Sequence, residues 1–174
     1  MRKLAVVLML LAAACGNNKS QSGASTATST PASSATAQKC QDRNIPAPAN
    51  TGSMQAKPTV DVPDGAPPCK LVIQDIRTGT GAAAKAGTTV TVQYVGVSWS
   101  TRQQFDASWD HGGPIPLSLG QVIAGWQQGI PGMKEGGRRR LIIPPELGYG
   151  ASGSPPAIGP NETLVFVIDL IKAS

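Results

Sequence analysis

Aromatic residues are scarce in this chain, and they are gathered. Only 4% of the chain is aromatic: three Trp, two Tyr and two Phe. Six of these seven lie in four short phrases or in a final strand. The phrases are Tyr94-Val95-Gly96, Phe105-Asp106-Ala107-Ser108-Trp109, Val122-Ile123-Ala124-Gly125-Trp126 and Gly148-Tyr149-Gly150-Ala151, and the strand carries Phe166. Rings spent evenly on a core would not group in this way. The spacing predicts one aromatic-lined pocket, assembled from several strands and one helix.

Composition shows where such a pocket can be built. Residues 1–15 are a basic start followed by an apolar run. Residues 16–68 are rich in Ser, Thr, Ala, Asn, Gln and Pro, with very few large apolar side chains. Residues 69–174 hold nearly all the β-branched and aromatic content and are long enough to bury a core. We therefore expect a leader over 1–15, a disordered linker over 16–68 and one folded domain over 69–174. The net charge is +5, of which Arg2 and Lys3 supply two. Arg138-Arg139-Arg140 is the only dense basic run, and it reads as a strand with solvated outward residues. A nucleic-acid binder would show a broader basic face, so nucleic acid is not an expected partner.

Met1-Arg2-Lys3, the apolar Leu4–Leu11 and the small residues Ala12-Ala13-Ala14 lead into Cys15. The apolar run is too short to span a bilayer. This stretch resembles a bacterial lipoprotein signal, which implies a lipidated (palmitate-bearing) Cys15 at the mature N-terminus. Ala12-Ala13-Ala14 also satisfies an ordinary signal-peptidase site, so free secretion remains open. Three cysteines are an odd number for an exported chain. If Cys15 carries lipid, Cys40 and Cys69 remain, and an oxidising compartment predicts a disulfide between them.

Asn17 to Gln38 is almost wholly small and polar, which predicts disorder. Prolines at 46, 48, 58, 63, 67 and 68 favour extended chain over 41–68. Strands are predicted over 70–76, 88–99, 115–119, 138–143 and 163–171, with Leu164, Phe166, Ile168 and Leu170 sharing one face of the last. Residues 122–130 predict a helix of about two turns, stopped by Pro131-Gly132. Asp106 and Asp110 sit four apart, but this span reads as loop, so the spacing fixes no geometry. The sum is an α+β domain of antiparallel strands covered by one short helix.

Common enzyme signatures are missing. His111 is the only histidine, which excludes a His-based metal cluster, and no cofactor is expected. There is no G-x-S-x-G. Gly79-Thr80-Gly81-Ala82-Ala83-Ala84 fits a dinucleotide fingerprint by letter, but a strand rather than a long helix follows, so it reads as a turn.

The aromatic phrases, with Gly136-Gly137-Arg138-Arg139-Arg140-Leu141-Ile142-Ile143-Pro144 and Glu146-Leu147-Gly148-Tyr149-Gly150, make residues 69–174 similar to the FKBP-type peptidyl-prolyl isomerases, especially bacterial members. The resemblance implies a curved antiparallel sheet of five or six strands wrapped on a short helix. It implies Trp126 as the pocket floor and Tyr94, Phe105, Val122, Ile123 and Phe166 as walls. It also implies Tyr149 as a rim hydrogen-bond donor, Asp106 as the polar group and the Ile123 N–H as a partner for a substrate carbonyl. Phe105, Asp106, Trp126 and Tyr149 are the implied catalytic set. Ile115 stands where many members have a wall aromatic, Ser154 where many have a rim group, and His111 replaces a frequent arginine. Ser100–Gln104 lacks the usual Asp-Gly turn.

The residue types suit the reaction so implied. An X-Pro bond turns over a barrier of about 18–20 kcal/mol set by amide resonance, taking tens to hundreds of seconds unaided. The twisted amide has lost resonance and polarity, so an apolar pocket favours it over the planar form, without nucleophile or metal. The expected partners are Pro-containing segments of exported proteins and, by resemblance, tacrolimus- or rapamycin-like macrolides. The chain is expected as a monomer, lipid-anchored outside the cytoplasm. The anchor would lie in the outer membrane of a two-membrane cell, and otherwise on the outer face of the plasma membrane. A non-catalytic module that holds Pro-containing segments as chaperone or scaffold is the alternative.

Overall fold

A computed structural model describes residues 39–49 and 52–174. The leader, Cys15 and the Ser/Thr/Ala-rich stretch to residue 38 lie outside the described residues.

Six strands form one antiparallel sheet. In chain order they are β1 (Val72–Arg77), β2 (Thr89–Ser98), β3 (Gln104–Ala107), β4 (Ile115–Ser118), β5 (Arg138–Ile143) and β6 (Leu164–Ala173). The order across the sheet is β1-β5-β6-β2-β3, and β4 also pairs with β2. β3 lies along Val95–Val97 and β4 along Thr89–Val92, so the two share one edge of β2. A 3₁₀ turn, Ser108–His111, interrupts that edge. The span from Asp106 to Asp110, read from the sequence as loop, is instead the end of β3 and this 3₁₀ turn. β3 has only four residues and no run of alternating apolar side chains, so its pairing with β2 is what makes it a strand. The helix α1 is Ala124–Gly129, shorter than expected, because Ile123 is still extended (φ −57°, ψ 149°).

Side chains alternate across the sheet. Val90 and Val92 of β2, Leu141 and Ile143 of β5, and Leu164, Phe166, Ile168 and Leu170 of β6 pack with Trp126 and Ile130 on the helix face. Two glycines seat the helix. A Cβ at Gly125 would lie 2.5 Å from Ile143, and one at Gly129 would lie 2.7 Å from Leu141, so α1 rests directly on β5.

The other face carries Val95, Val97, Ile142 and Val165, packed with Ile45 and Val62 from the proline-rich stretch. The described residues of 41–68 form no helix or strand of their own, and they make an arm along the sheet rather than free chain. Ile45 and Val62 are buried, the Trp99 indole donates to the Gly65 carbonyl at 3.2 Å, and Gln41 N–H donates to Pro67 O at 2.8 Å. The packed unit therefore extends upstream of Cys69. The Cys40–Cys69 disulfide closes the arm onto the start of β1, with the two Cα atoms 4.9 Å apart.

The arginine run corrects the sequence reading, which had its outward residues in solvent. All three side chains are buried. Arg138 pairs with Asp169 at 2.5 and 2.6 Å and donates to the carbonyl of Ser53 at 3.2 Å. Arg140 donates to Gln74 Oε1 at 2.9 Å and to the Pro46 carbonyl at 2.6 Å. Arg139 points to the opposite face. It pairs with Asp75 at 2.6 Å and donates to the Gly129 carbonyl at the end of α1 at 2.7 Å. Burial raises the Asp169 carboxyl above its usual range, and the Arg138 bonds oppose that rise. Burial likewise pulls the Arg140 guanidinium below its usual range.

Candidate active site

On the helix face, β2, β3, β4, β6 and the N-terminal end of α1 surround a cavity of about 360 Å³. Three of its ring pairs meet nearly edge to face, and Tyr94 meets Phe166 at 6.2 Å and 61°. Trp126 and Phe166 have centroids 5.2 Å apart at 84°, and Tyr94 and Trp126 are 5.2 Å apart at 83°. Phe105 meets Phe166 at 5.5 Å and 87°. Edge-to-face pairs of this kind contribute roughly 0.5–1.5 kcal/mol each beyond burial, so the rings hold one another in place around the cavity.

Local sequence explains how the rings are placed. Tyr94 and Gly96 lie on the same face of β2, and Gly96 is opposite Phe166 in the β2–β6 register. A Cβ on Gly96 would sit 2.6 Å from the Phe105 ring and 2.7 Å from the Phe166 ring. The glycine of the first aromatic phrase is thus the space that two other rings occupy. Val122 and Ile123 line the cavity from the extended segment before α1. The Ile123 carbonyl accepts the N–H groups of Trp126 and Gln127 at 2.9 and 3.2 Å. No backbone acceptor among the described residues takes up the Ile123 N–H. Tyr149 stands at the opening, 41% exposed.

The polar part is small. Asp106 Oδ2 accepts the Tyr94 hydroxyl at 2.5 Å, and Asp106 Oδ1 lies 3.0 Å from His111 Nε2. Burial first, then the bond to Asp106 and its charge, push the Tyr94 phenol well above its ordinary value. The phenol therefore stays neutral and remains a donor near neutral pH. Among the described residues no cluster of His, Cys, Asp or Glu could hold a metal ion. The arrangement can desolvate an apolar group against rings while fixing a polar group at its edge.

All eight residues named for the pocket from the sequence line this one cavity. Ile115, singled out as a departure, lines it as well. Ser154 does not: it pairs with Ile158 through two backbone hydrogen bonds at 2.9 and 3.0 Å. Sequence reasoning missed Leu117 and Gln121. Leu117 follows Ile115 at strand spacing on β4, a signal that was available. Gln121 gives no signal beyond standing next to Val122.

Residues 81–171, just over half of the chain, match the family FKBP-type peptidyl-prolyl cis-trans isomerase. An FK506-binding protein of Streptomyces anulatus is 56% identical over 118 residues, covering 66% of this chain and 95% of that protein. A probable FK506-binding protein of Corynebacterium glutamicum is 53% identical over 117 residues, covering 67% of this chain and 98% of its own length. The crystal structure of a peptidyl-prolyl cis-trans isomerase from Pseudomonas syringae pv. tomato is 34% identical, with a TM-score of 0.55 over 68% of this chain and 83% of that one. With an antiparallel six-stranded sheet and a single short helix on its aromatic face, the chain belongs to the FKBP-type peptidyl-prolyl cis-trans isomerases.

Proposed function

We propose that this isomerase binds its X-Pro bond in the cavity between Tyr94 and Phe166 and acts on exported proteins from a lipid anchor. The observation that carries the reading is the convergence of four packed rings and a single carboxylate on one cavity. The proline ring lies over Trp126, with Tyr94, Phe105, Val122, Ile123 and Phe166 around it. The Ile123 N–H and the Tyr149 hydroxyl donate to carbonyls flanking the bond. Asp106, held by Tyr94, orients the amide and exchanges no proton with it.

The catalytic effect follows from the resonance argument. Ground-state amide polarity is lost on twisting, so a pocket with few dipoles disfavours the planar form more than the twisted one. A protease-free prolyl-peptide assay on the full chain tests the site. Trp126→Ala is expected to abolish binding, and Asp106→Ala to lower the rate with little change in affinity. Equal rates in wild type and Asp106→Ala would remove Asp106 from the mechanism.

The cellular setting rests on the leader and the cysteines. Cys40 and Cys69 are paired in the structure, which fits an oxidising compartment and leaves Cys15 as the remaining thiol of three. We assign Cys15 to lipidation and residues 16–38 to a tether. The anchor lies in the outer membrane of a two-membrane cell, or on the outer face of the plasma membrane in a one-membrane cell. Mass spectrometry of the mature N-terminus decides this, and an unmodified Cys15 defeats the anchor. The relatives' name, FK506-binding protein, supports macrolide binding in the same cavity, and titration with tacrolimus tests it.

A further inference from the structure

His111 is the single imidazole of the chain. It sits beside Asp106, a lining residue of the cavity, at the end of the 3₁₀ turn that interrupts the β3–β4 edge. Its Nε2 lies 3.0 Å from Oδ1 of Asp106, and the other carboxylate oxygen takes the Tyr94 hydroxyl. Asp106 therefore has two side-chain partners of different kinds. One is a buried phenol. The other is an imidazole whose side chain is 67% exposed.

The charged and titratable groups around His111 come from five parts of the chain. Asp106 is on β3. Asp110 precedes His111 in the 3₁₀ turn and interacts with it through charge, and Asp110 is itself held by Lys57 Nζ and Gln104 Nε2, both at 2.7 Å. Lys57 comes from the arm. Tyr94 comes from β2, and Tyr149 faces it across the cavity. The bonds from Lys57 and Gln104 hold the Asp110 carboxyl below the usual carboxylate range, so Asp110 is already ionised in mild acid. Burial keeps the Tyr94 phenol neutral. Imidazole is the one ordinary side chain that changes charge between pH 5 and 8.

We infer that His111 is a specificity-determining residue, setting the charge at the mouth of the cavity and so the preference for acidic or basic residues beside the proline. With a neutral imidazole, Asp106 presents its negative charge uncompensated, and a cationic flanking residue is favoured. With an imidazolium, the Asp106–His111 pair is neutral, the mouth loses that negative charge, and an acidic flanking residue is no longer repelled. The inference rests on the cavity being the substrate site.

The test measures kcat/KM with the full chain on two tetrapeptides that carry Glu or Lys before the proline. A protease-free assay runs from pH 5.5 to 8, where neither peptide side chain changes charge appreciably. The Glu-to-Lys preference ratio is expected to fall roughly 2- to 5-fold as pH rises, the size of a unit-charge effect at a solvated rim. In His111→Arg the ratio is expected to stay at the low-pH level at every pH, and in His111→Gln at the high-pH level. A flat ratio in wild type, or a pH-dependent ratio that survives in His111→Gln, overturns the inference. Trp126→Ala separates the two ways of failing. A flat ratio with turnover still lost in Trp126→Ala removes only the role of His111. Turnover insensitive to Trp126→Ala removes the site reading beneath it.

Discussion

The two faces of the sheet are both buried, but what covers them differs, and so does what they can bury. On one face the cover is a helix whose own carbonyls are used in its turns. The side chains under it are rings and aliphatic groups, and a cavity of about 360 Å³ remains. On the other face the cover is an extended, proline-rich arm, whose carbonyls are not committed to a ladder. Under it lie Arg138 and Arg140, donating to the carbonyls of Ser53 and Pro46. A buried cation needs acceptors, and an extended chain supplies them where the middle of a helix cannot. Arg139 obeys the same rule on the helix face: it finds its acceptor at Gly129, at the C-terminal end of α1, where carbonyls are left over. The type of cover thus decides that one face becomes a pocket and the other a sealed polar seam.

The largest effect should come from breaking that seam. Asp169→Ala leaves the Arg138 guanidinium buried without its carboxylate, which should cost about 3–5 kcal/mol in denaturant unfolding. Turnover per folded molecule should hardly change, because Asp169 does not line the cavity. A loss below about 1 kcal/mol is the range of exposed pairs, and it would mean that water reaches Arg138 and the arm is a loose tether. The next effect tests the clasp. Replacing Cys40 and Cys69 together by Ser opens a link between residues 29 apart in sequence. In the chain-entropy account this lowers stability by about 3–4 kcal/mol. Trp99 fluorescence should then report loosening of the arm before global unfolding, since its indole is bonded to Gly65.

This comparison also explains what could be read from the sequence. β6 was legible because Leu164, Phe166, Ile168 and Leu170 alternate onto a single face, a local pattern set by a local period. The pocket residues were legible through the family's phrases, and the structure brings them to one cavity. The arginine run was misread because nothing near it betrays its cover. Its acceptors Pro46 and Ser53 are 94 and 85 residues upstream, in a segment whose composition alone suggests free chain. Ile45, Val60 and Val62, apolar residues in a polar stretch, are the local hint that it packs. β3 was missed for the same reason, since its pairing partner on β2 decides its conformation.

On the helix face the comparison sharpens at Gly96. An added methyl there meets the rings of Phe105 and Phe166 rather than a flexible chain end. Gly96→Ala should therefore cost about 1–3 kcal/mol, the usual range for overpacking. It should also weaken ligand binding, because the rings that must yield are the walls. The matching measurements are thermal unfolding and macrolide titration. Lost stability with unchanged binding would show that the walls can shift without closing the cavity.

The smallest effect is electrostatic and confined to strong alkali. The Tyr94 phenol is raised by burial and by Asp106, whereas in the unfolded chain it ionises near about pH 10. Below that pH both states keep the proton and the stabilisation is fully present. Above it the unfolded chain loses its proton first, so stability falls as pH rises. The slope is at most about 1.4 kcal/mol per pH unit, and less to the extent that solvent screens this partly exposed ring. Tyr94→Phe should remove that slope while adding a modest loss at neutral pH, roughly 1 kcal/mol for the hydrogen bond. Denaturant unfolding of both proteins at pH 9, 10 and 11 isolates the difference from other alkaline titrations. The arm face has no part in this window. Asp169 is also raised by burial, so its contribution likewise declines as pH rises, but in the acid range. A wild-type protein that loses no more stability in alkali than Tyr94→Phe would mean that water reaches the phenol, and that the helix face is less dry than its rings imply.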